Sequence, residues 1–335
     1  MKRDMKRWLE ELRGAPVKKA MPVLSFPAIQ LMGISVRELI SSSDAQARGM
    51  HLVAQRTDAA ASVSLMDLSV EAECFGSAIR VSDEEVPTVV GSIVSTEEEA
   101  RALAVPPVGA GRTGLYIEAV EKAVGLITDR PVFAGVIGPF SLAARLLDVA
   151  EIMIYCYEEP DMVHVLLEKA TQFITEYCKA YKEAGANGVV IAEPVAGLLS
   201  PALSAEFSGP YVKQIVDAVQ DDSFLVIYGN TAQFTSGISL NSNSREKHGS
   251  PCSLIRESIR LQAVRQGLSA RSRSANANII LHFAHCFSSP RYRVLQKRSC
   301  FLTTPNTCST FARTEDFACS AFFASYWPLL LSFLI

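Results

Sequence analysis

Residues 184–219 read AGANGVVIAEPVAGLLSPALSAEFSGPYVKQIVDAV, and three features of this stretch decide the fold class. GVVIAE, 188–193, is a continuous apolar run without polar alternation, as in a parallel strand covered on both faces. Gly185, just before it, suits the left-handed C-cap of a preceding helix. Ser200-Pro201, after it, offers an N-cap hydroxyl followed by proline at the first helical position. That second helix should run toward Gln220 and be bent or interrupted at Gly209-Pro210.

The same alternation recurs on either side. Further strands are expected at 21–26 (MPVLSF), 63–68 (VSLMDL), 132–137 (VFAGVI) and 224–228 (FLVIY). The helix before Gly185 is expected over 161–184, where Val163, Leu166, Leu167, Ala170, Phe173, Ile174, Tyr177 and Tyr181 recur at helical spacing. Strand–helix alternation of this length predicts an α/β fold with a parallel sheet. A TIM (β/α)8 barrel and an open doubly wound sheet both fit the pattern. In either, ligands gather at the carboxyl ends of the strands. Asp67, Gly138, Glu193 and the run Tyr228-Gly229-Asn230 stand at those ends.

Gly-Ala-Gly-Arg-Thr-Gly, 109–114, matches the dinucleotide fingerprint only formally. That motif needs a strand feeding its first glycine and an acidic residue about twenty positions on. Pro106 and Pro107 precede it, and Asp129 comes too early. A flexible loop before a helix at 115–127 is expected instead, with Arg112 meeting an anionic substrate group.

The whole chain has 335 residues, a net charge of −3 and 49% hydrophobic residues, which excludes a disordered chain and gives no electrostatic reason to expect a nucleic acid partner. The average hides a break. Residues 1–231 hold 20 basic and 31 acidic side chains, whereas 232–335 hold 12 and 4. Cys74, Cys156 and Cys178 lie in apolar or helical surroundings and are expected to be buried, inert thiols. The later cysteines form no CxxC pair. MKRDMKRWLEELRG, at the start, lacks the apolar core of a signal peptide, so a cytoplasmic protein is expected. His51 and His164 read as surface or satisfied helical residues.

Residues 184–219, together with VSLMDLSVEAECFG at 63–76 and GVIGPFSLAARLL at 135–147, resemble the uroporphyrinogen decarboxylase superfamily over about 1–231. The resemblance implies a TIM barrel and one of two chemistries: porphyrinogen decarboxylation, or methyl transfer between a methylated corrinoid and a thiol. The decarboxylases carry two arginines after the first strand, and PVLSFPAIQLMG at 22–33 has none. Their substrate-binding tyrosine falls at Arg145 and the hydroxyl residue of their central motif at Pro194, while the pyrrole-binding aspartate is retained as Asp67. A substrate rich in carboxylates without bidentate arginines is the weaker reading.

The corrinoid-dependent methyltransferase-like branch is matched by Glu193-Pro194 and by Gly229-Asn230-Thr231. In that branch a histidine and a cysteine at the end of the next strand, with a later cysteine, bind zinc, which holds the substrate thiol as thiolate. Here LVIYGNT, 225–231, puts Val226 and Tyr228 in the ligand positions, so no zinc ligand is expected at this strand end and the metal set is empty. The resemblance thus implies methylcobamide, carried on a corrinoid partner protein, as substrate alongside a small-molecule thiol. Asp67 and Glu193 are the expected catalytic carboxylates, with Arg112, Asn230 and Tyr228 as substrate-binding groups, although Tyr228 in an apolar strand also suits packing.

The resemblance stops at Thr231. Residues 232–335 hold 17 serines, runs such as SARSRSANAN, and a charge-free block FACSAFFASYWPLLLSFLI at 317–335. The block is long enough to span a membrane, and His282, His285 and Cys286 are close enough to suggest a metal cluster. A different reading accounts for the conflict between local composition and barrel: a shift of reading frame near residue 232, leaving an incomplete barrel, an unrelated or disordered tail, and no membrane association. The other two frames of the coding DNA test it, and absence of barrel-like sequence from both would refute it. An incomplete barrel exposes sheet edges, so poor stability and impaired activity are expected.

Overall fold

The computed structural model describes residues 3–17, 19–23, 26 and 28–230. The readings placed on 232–335 lie outside the described residues. Among the described residues there are six strands: β1 Ser62–Val63, β2 Ala78–Arg80, β3 Thr88–Val90, β4 Val132–Ile137, β5 Gly188–Glu193 and β6 Leu225–Asn230. β1, β4, β5 and β6 form one parallel sheet in that order, and β2 and β3 form a separate antiparallel hairpin. Among the described residues the parallel sheet thus has four strands, half the number that closes a (β/α)8 barrel.

The central elements agree with the sequence reading. The long helix spans Pro160–Glu183, and Gly185 comes after it at φ +92°, where an L side chain would be strained. The next helical region is two helices, Pro201–Phe207 and Gly209–Val219, because Pro210 has no N–H to continue the ladder and Ser208 leaves helical geometry at φ −124°, ψ −57°. Ser200 caps the first of them by accepting a hydrogen bond from Leu203 N at 3.3 Å.

Three expectations need correction. Met21–Val23 form no strand. Of the run 63–68 only Val63 is strand, at the end of β1 Ser62–Val63, because Ser64 Oγ accepts the Gly135 N–H at 2.9 Å and takes the place of a backbone acceptor. The helix after the Gly-rich loop starts at Thr113, two residues early, and Thr113 Oγ1 accepts a hydrogen bond from Gly109 N within that loop.

Side chains alternate across the sheet. Val189 and Ile191 of β5, with Val226 and Tyr228 of β6, pack into the large core shared with the helices Thr113–Leu126 and Pro160–Glu183. Val190, Ile227 and Leu225 face the other side with Phe133 and Met66, where the N-terminal helix Met5–Gly14 covers them. Trp8 of that helix lies 5.8 Å from Phe133, ring centre to ring centre. No helix among the described residues is long and apolar enough to cross a membrane.

The thiols divide. Cys156 and Cys178 are buried as expected, and burial pushes the Cys156 thiol up to about 11. Cys74 is only partly covered, near the carbonyls of Pro107 and Ala110. His164 is a satisfied helical histidine, stacked on Phe207 with Nδ1 2.7 Å from Tyr211 OH.

Candidate functional site

The turn after β1 places Asp67 where a parallel sheet presents its ligand face. Its carboxylate is enclosed. Oδ1 accepts hydrogen bonds from Ser69 N at 3.1 Å and Ser69 Oγ at 2.6 Å. Oδ2 accepts from Arg112 Nη1 at 2.6 Å and Tyr116 OH at 2.8 Å. Arg112 also donates through Nε to Glu73 Oε2 at 2.6 Å and through Nη2 to Ser69 Oγ at 3.2 Å. Burial alone would lower the Arg112 guanidinium, but Asp67, helped by Glu73, overrides it and holds the cation firmly charged. Burial and the Asp67 charge together push the Tyr116 phenol well up. The loop that carries Arg112 turns through Gly109 and Gly111, both at positive φ, and delivers the guanidinium to the end of β1.

Glu193 sits elsewhere. It shares a face of β5 with Val189 and Ile191, the helix-packed face, and is fully buried. Oε1 accepts the Phe140 N–H at 2.9 Å, and Oε2 accepts Ser141 N at 2.9 Å and Ser141 Oγ at 2.7 Å. The carboxyl thus caps the N-terminus of the helix Pro139–Leu146, meeting orphan N–H groups and the positive end of the dipole. Burial nevertheless raises it to about 7, against the pull of those donors. The structure brings Asp67 and Arg112 together and leaves Glu193 apart from them, engaged in a cap.

Tyr228 faces the same helix layer, with its hydroxyl 3.2 Å from Ser208 Oγ. Asn230 ends β6, its backbone in register with Glu193. Val226 and Tyr228, the positions where the resemblance would put zinc ligands, both pack in the apolar core. Neither is one of the Cys, His, Asp or Glu side chains that bind zinc, and among the described residues no group of three or more His, Cys, Asp or Glu could hold a metal ion. The residues at this strand end do not fit zinc.

Glu71 is a residue the sequence reading overlooked. It is buried behind Asp67 and accepts the Ile137 N–H at the end of β4 through Oε1 at 3.0 Å, while Oε2 has no hydrogen-bond partner. Burial, reinforced by the Asp67 charge, raises this carboxyl from 4.5 to about 7. The legible signal was a third acidic residue, with Asp67 and Glu73, inside the otherwise apolar run 63–76.

Glu71 should make stability depend on pH. Its folded pKa exceeds its unfolded one, so the native state binds the extra proton between about pH 4.5 and 7. The stabilisation is complete below that window and lost as pH rises through it, by about 3 kcal/mol in all. Glu193, raised over the same range, adds a second slope of the same sign, so Glu71→Gln, which keeps an acceptor for Ile137, should roughly halve that part of the stability–pH slope, measured by chemical denaturation from pH 4.5 to 8. Superimposable curves for the two chains would contradict it.

Known proteins share this fold. The family model described as uroporphyrinogen decarboxylase (URO-D) matches residues 10–240. The methylcobamide:CoM methyltransferase MtbA of Methanosarcina acetivorans is 32% identical over 186 residues, 52% of this chain and 52% of that protein. A uroporphyrinogen decarboxylase of Flavobacterium johnsoniae is 25% identical over 186 residues, 53% of each. The chain thus spans about half the length of the curated relatives it matches. Among solved structures, a methyltransferase from Methanosarcina mazei superposes with a TM-score of 0.60 at 23% identity, covering 68% of this chain and 71% of that one. That likeness identifies the α/β architecture as the TIM-barrel type of this family. The match over more than half its length, with a parallel sheet of the same type, makes this chain a member of the uroporphyrinogen decarboxylase family.

Proposed function

We propose that this chain descends from, and retains in weakened form, an enzyme moving a methyl group between a methylated corrinoid and a thiol. The observation that carries the reading is similarity at 32% and 31% identity to two methylcobamide:CoM methyltransferases, joined to a 22–33 segment without arginine. The corrinoid would arrive on a partner protein at the carboxyl ends of β1 and β4–β6, in a cytoplasmic setting. Asp67 and Arg112 are the groups proposed to meet the substrate there. Glu193, Tyr228 and Asn230 contribute by position: Glu193 holds the helix after β4, and the other two belong to the strand beside it.

In the transfer, a sulfur–carbon bond forms as the cobalt–carbon bond breaks, both electrons of that bond stay on cobalt, and the thiol proton goes to solvent or base. With no histidine or cysteine in β6, the thiol would ionise without help from that strand end, which would weaken the transfer.

The second reading, uroporphyrinogen decarboxylation, rests on retained Asp67 and on decarboxylase relatives such as that of Flavobacterium johnsoniae. A third is a non-catalytic piece that binds a corrinoid protein. The full chain is incubated with methylcobalamin and a small thiol, and separately with uroporphyrinogen. Loss of the methylcobalamin spectrum without coproporphyrinogen is expected. Coproporphyrinogen alone would establish the second reading, and silence in both arms would overturn the enzymatic reading in favour of the third.

A further inference from the structure

We infer that Glu71 is a positioning residue for the Asp67–Arg112 pair. As a neutral acid it leaves Arg112 bonded to both Asp67 and Glu73, and as an anion it draws the guanidinium away from Glu73 toward itself. The motivating observation is the unequal sharing of donors among three buried carboxyl groups. From other residues, Asp67 accepts four hydrogen bonds, one of them from a cation, and Glu193 accepts three. Glu71 accepts one, from Ile137 N, and its Oε2 has no partner although the residue is only 2% exposed. An ionised oxygen without donors in such a place costs far more than a neutral one, so Glu71 has the strongest reason of the three to keep its proton.

Its place ties this proton to the site. The Ile137 N–H fixes the Glu71 carboxyl at the carboxyl end of β4, and Ser69, two residues before it, bonds both Asp67 and Arg112. The groups facing Glu71 offer one counter-charge. The helix Pro160–Glu183 presents Tyr177, Cys178 and Tyr181, all pushed up by burial and therefore neutral near pH 7. Its own helix adds the Cys74 thiol, also pushed up by burial, and Glu73. Asp67 raises Glu71 by its charge, and Arg112 is the cation that opposes it.

With Glu71 neutral, Arg112 serves two carboxylates, Asp67 and Glu73. With Glu71 ionised, three carboxylates compete for one guanidinium. Glu73 is 32% exposed, so water screens its attraction, whereas charges at Asp67 and Glu71 act through a low dielectric. The bond from Arg112 Nε to Glu73 is therefore the one that gives way. Burial raises Glu71 to about 7, which puts the change in the neutral range.

The role rests on the reading that Asp67 and Arg112 meet the substrate, but its test reads geometry without turnover, so the two can fail separately. The full chain is prepared with isotope-labelled arginine, and the Arg112 Nε–H resonance, assigned by its loss in Arg112→Lys, is followed from about pH 5.5 to 8.5. In the wild-type chain it should move in a single step centred near pH 7. In Glu71→Gln, which keeps an acceptor for Ile137 and cannot ionise, it should hold its low-pH position throughout. Glu193, the other carboxyl raised to about 7, is separated by Glu193→Gln, in which the step should persist. A flat wild-type resonance, as a merely structural Glu71 would give, or an equal step in Glu71→Gln, would overturn the proposal. If Glu71→Gln does not fold, Glu193→Gln decides: a step that persists there sustains the role of Glu71, and its loss refutes it.

Discussion

A Gly138→Ala chain should lose about 3–5 kcal/mol of stability, the combined cost of overpacking and of breaking hydrogen bonds to a buried carboxyl. A Cβ on Gly138 would lie 2.1 Å from Glu193 Cγ, 2.2 Å from Cδ and 2.3 Å from Oε1. The neighbour cannot give way, because Glu193 is fixed by Phe140 N, Ser141 N and Ser141 Oγ in a fully buried place. Moving it releases the cap of the helix Pro139–Leu146 and uncouples β4 from β5 at their carboxyl ends. The control is the double variant with Glu193→Ala, which removes the clashing atoms, so its loss should be clearly smaller than the sum of the two single losses. Chemical denaturation measures all four chains. An unchanged midpoint for Gly138→Ala would mean that Glu193 is not seated against Gly138.

Asp67→Ala should cost about 3 kcal/mol, the range found when one partner of a buried ion pair is removed. The Asp67 side chain is fully enclosed and that of Arg112 is 15% exposed, so water cannot replace the lost acceptor. Arg112 Nη1 and Tyr116 OH would both lose their carboxylate, and Glu73, itself 32% exposed, would be the one carboxylate left to the cation, beside the hydroxyls of Ser69 and Tyr116. Adding Arg112→Met to Asp67→Ala should recover a substantial part of the loss, since the uncompensated charge goes with it. Additive losses in the cycle would show that the pair is not coupled.

These sites differ in how far they could be read from residues alone. β4 and β5 were legible because continuous apolar runs over 132–137 and 188–193 have few alternatives, and Gly185 and Ser200-Pro201 mark the neighbouring helix ends. The same continuity hid the orientation of Glu193. A strand buried on both faces shows no polar alternation, so nothing in GVVIAE says which face meets the helices, and a carboxylate at its end reads as a mouth residue. Its role as a cap depends on the approach of Phe140 and Ser141, 53 and 52 residues away. The short β1 escaped for a similar reason, since a serine side chain substituting for a backbone acceptor leaves no trace in hydropathy. Asp67 and Arg112 were each expected to meet substrate, yet their mutual salt bridge spans 45 residues and no local pattern announces it. Glu71 was overlooked because an acidic residue in a helical run looks exposed until tertiary packing buries it.

The proposed methyl transfer, to a thiol that the protein does not ionise, is tested by the pH dependence of that transfer. Isotopically methyl-labelled methylcobalamin is mixed with the full chain and a small thiol, and labelled thioether is counted between pH 6.5 and 9.5. Slow, protein-dependent labelling of sulfur is expected, climbing toward a plateau near the thiol's own pKa, about 8.5 for an unperturbed cysteine-like thiol. A rate already at its plateau at pH 6.5 would show that the thiol is activated on the protein. No labelled thioether at any pH would contradict the transfer itself.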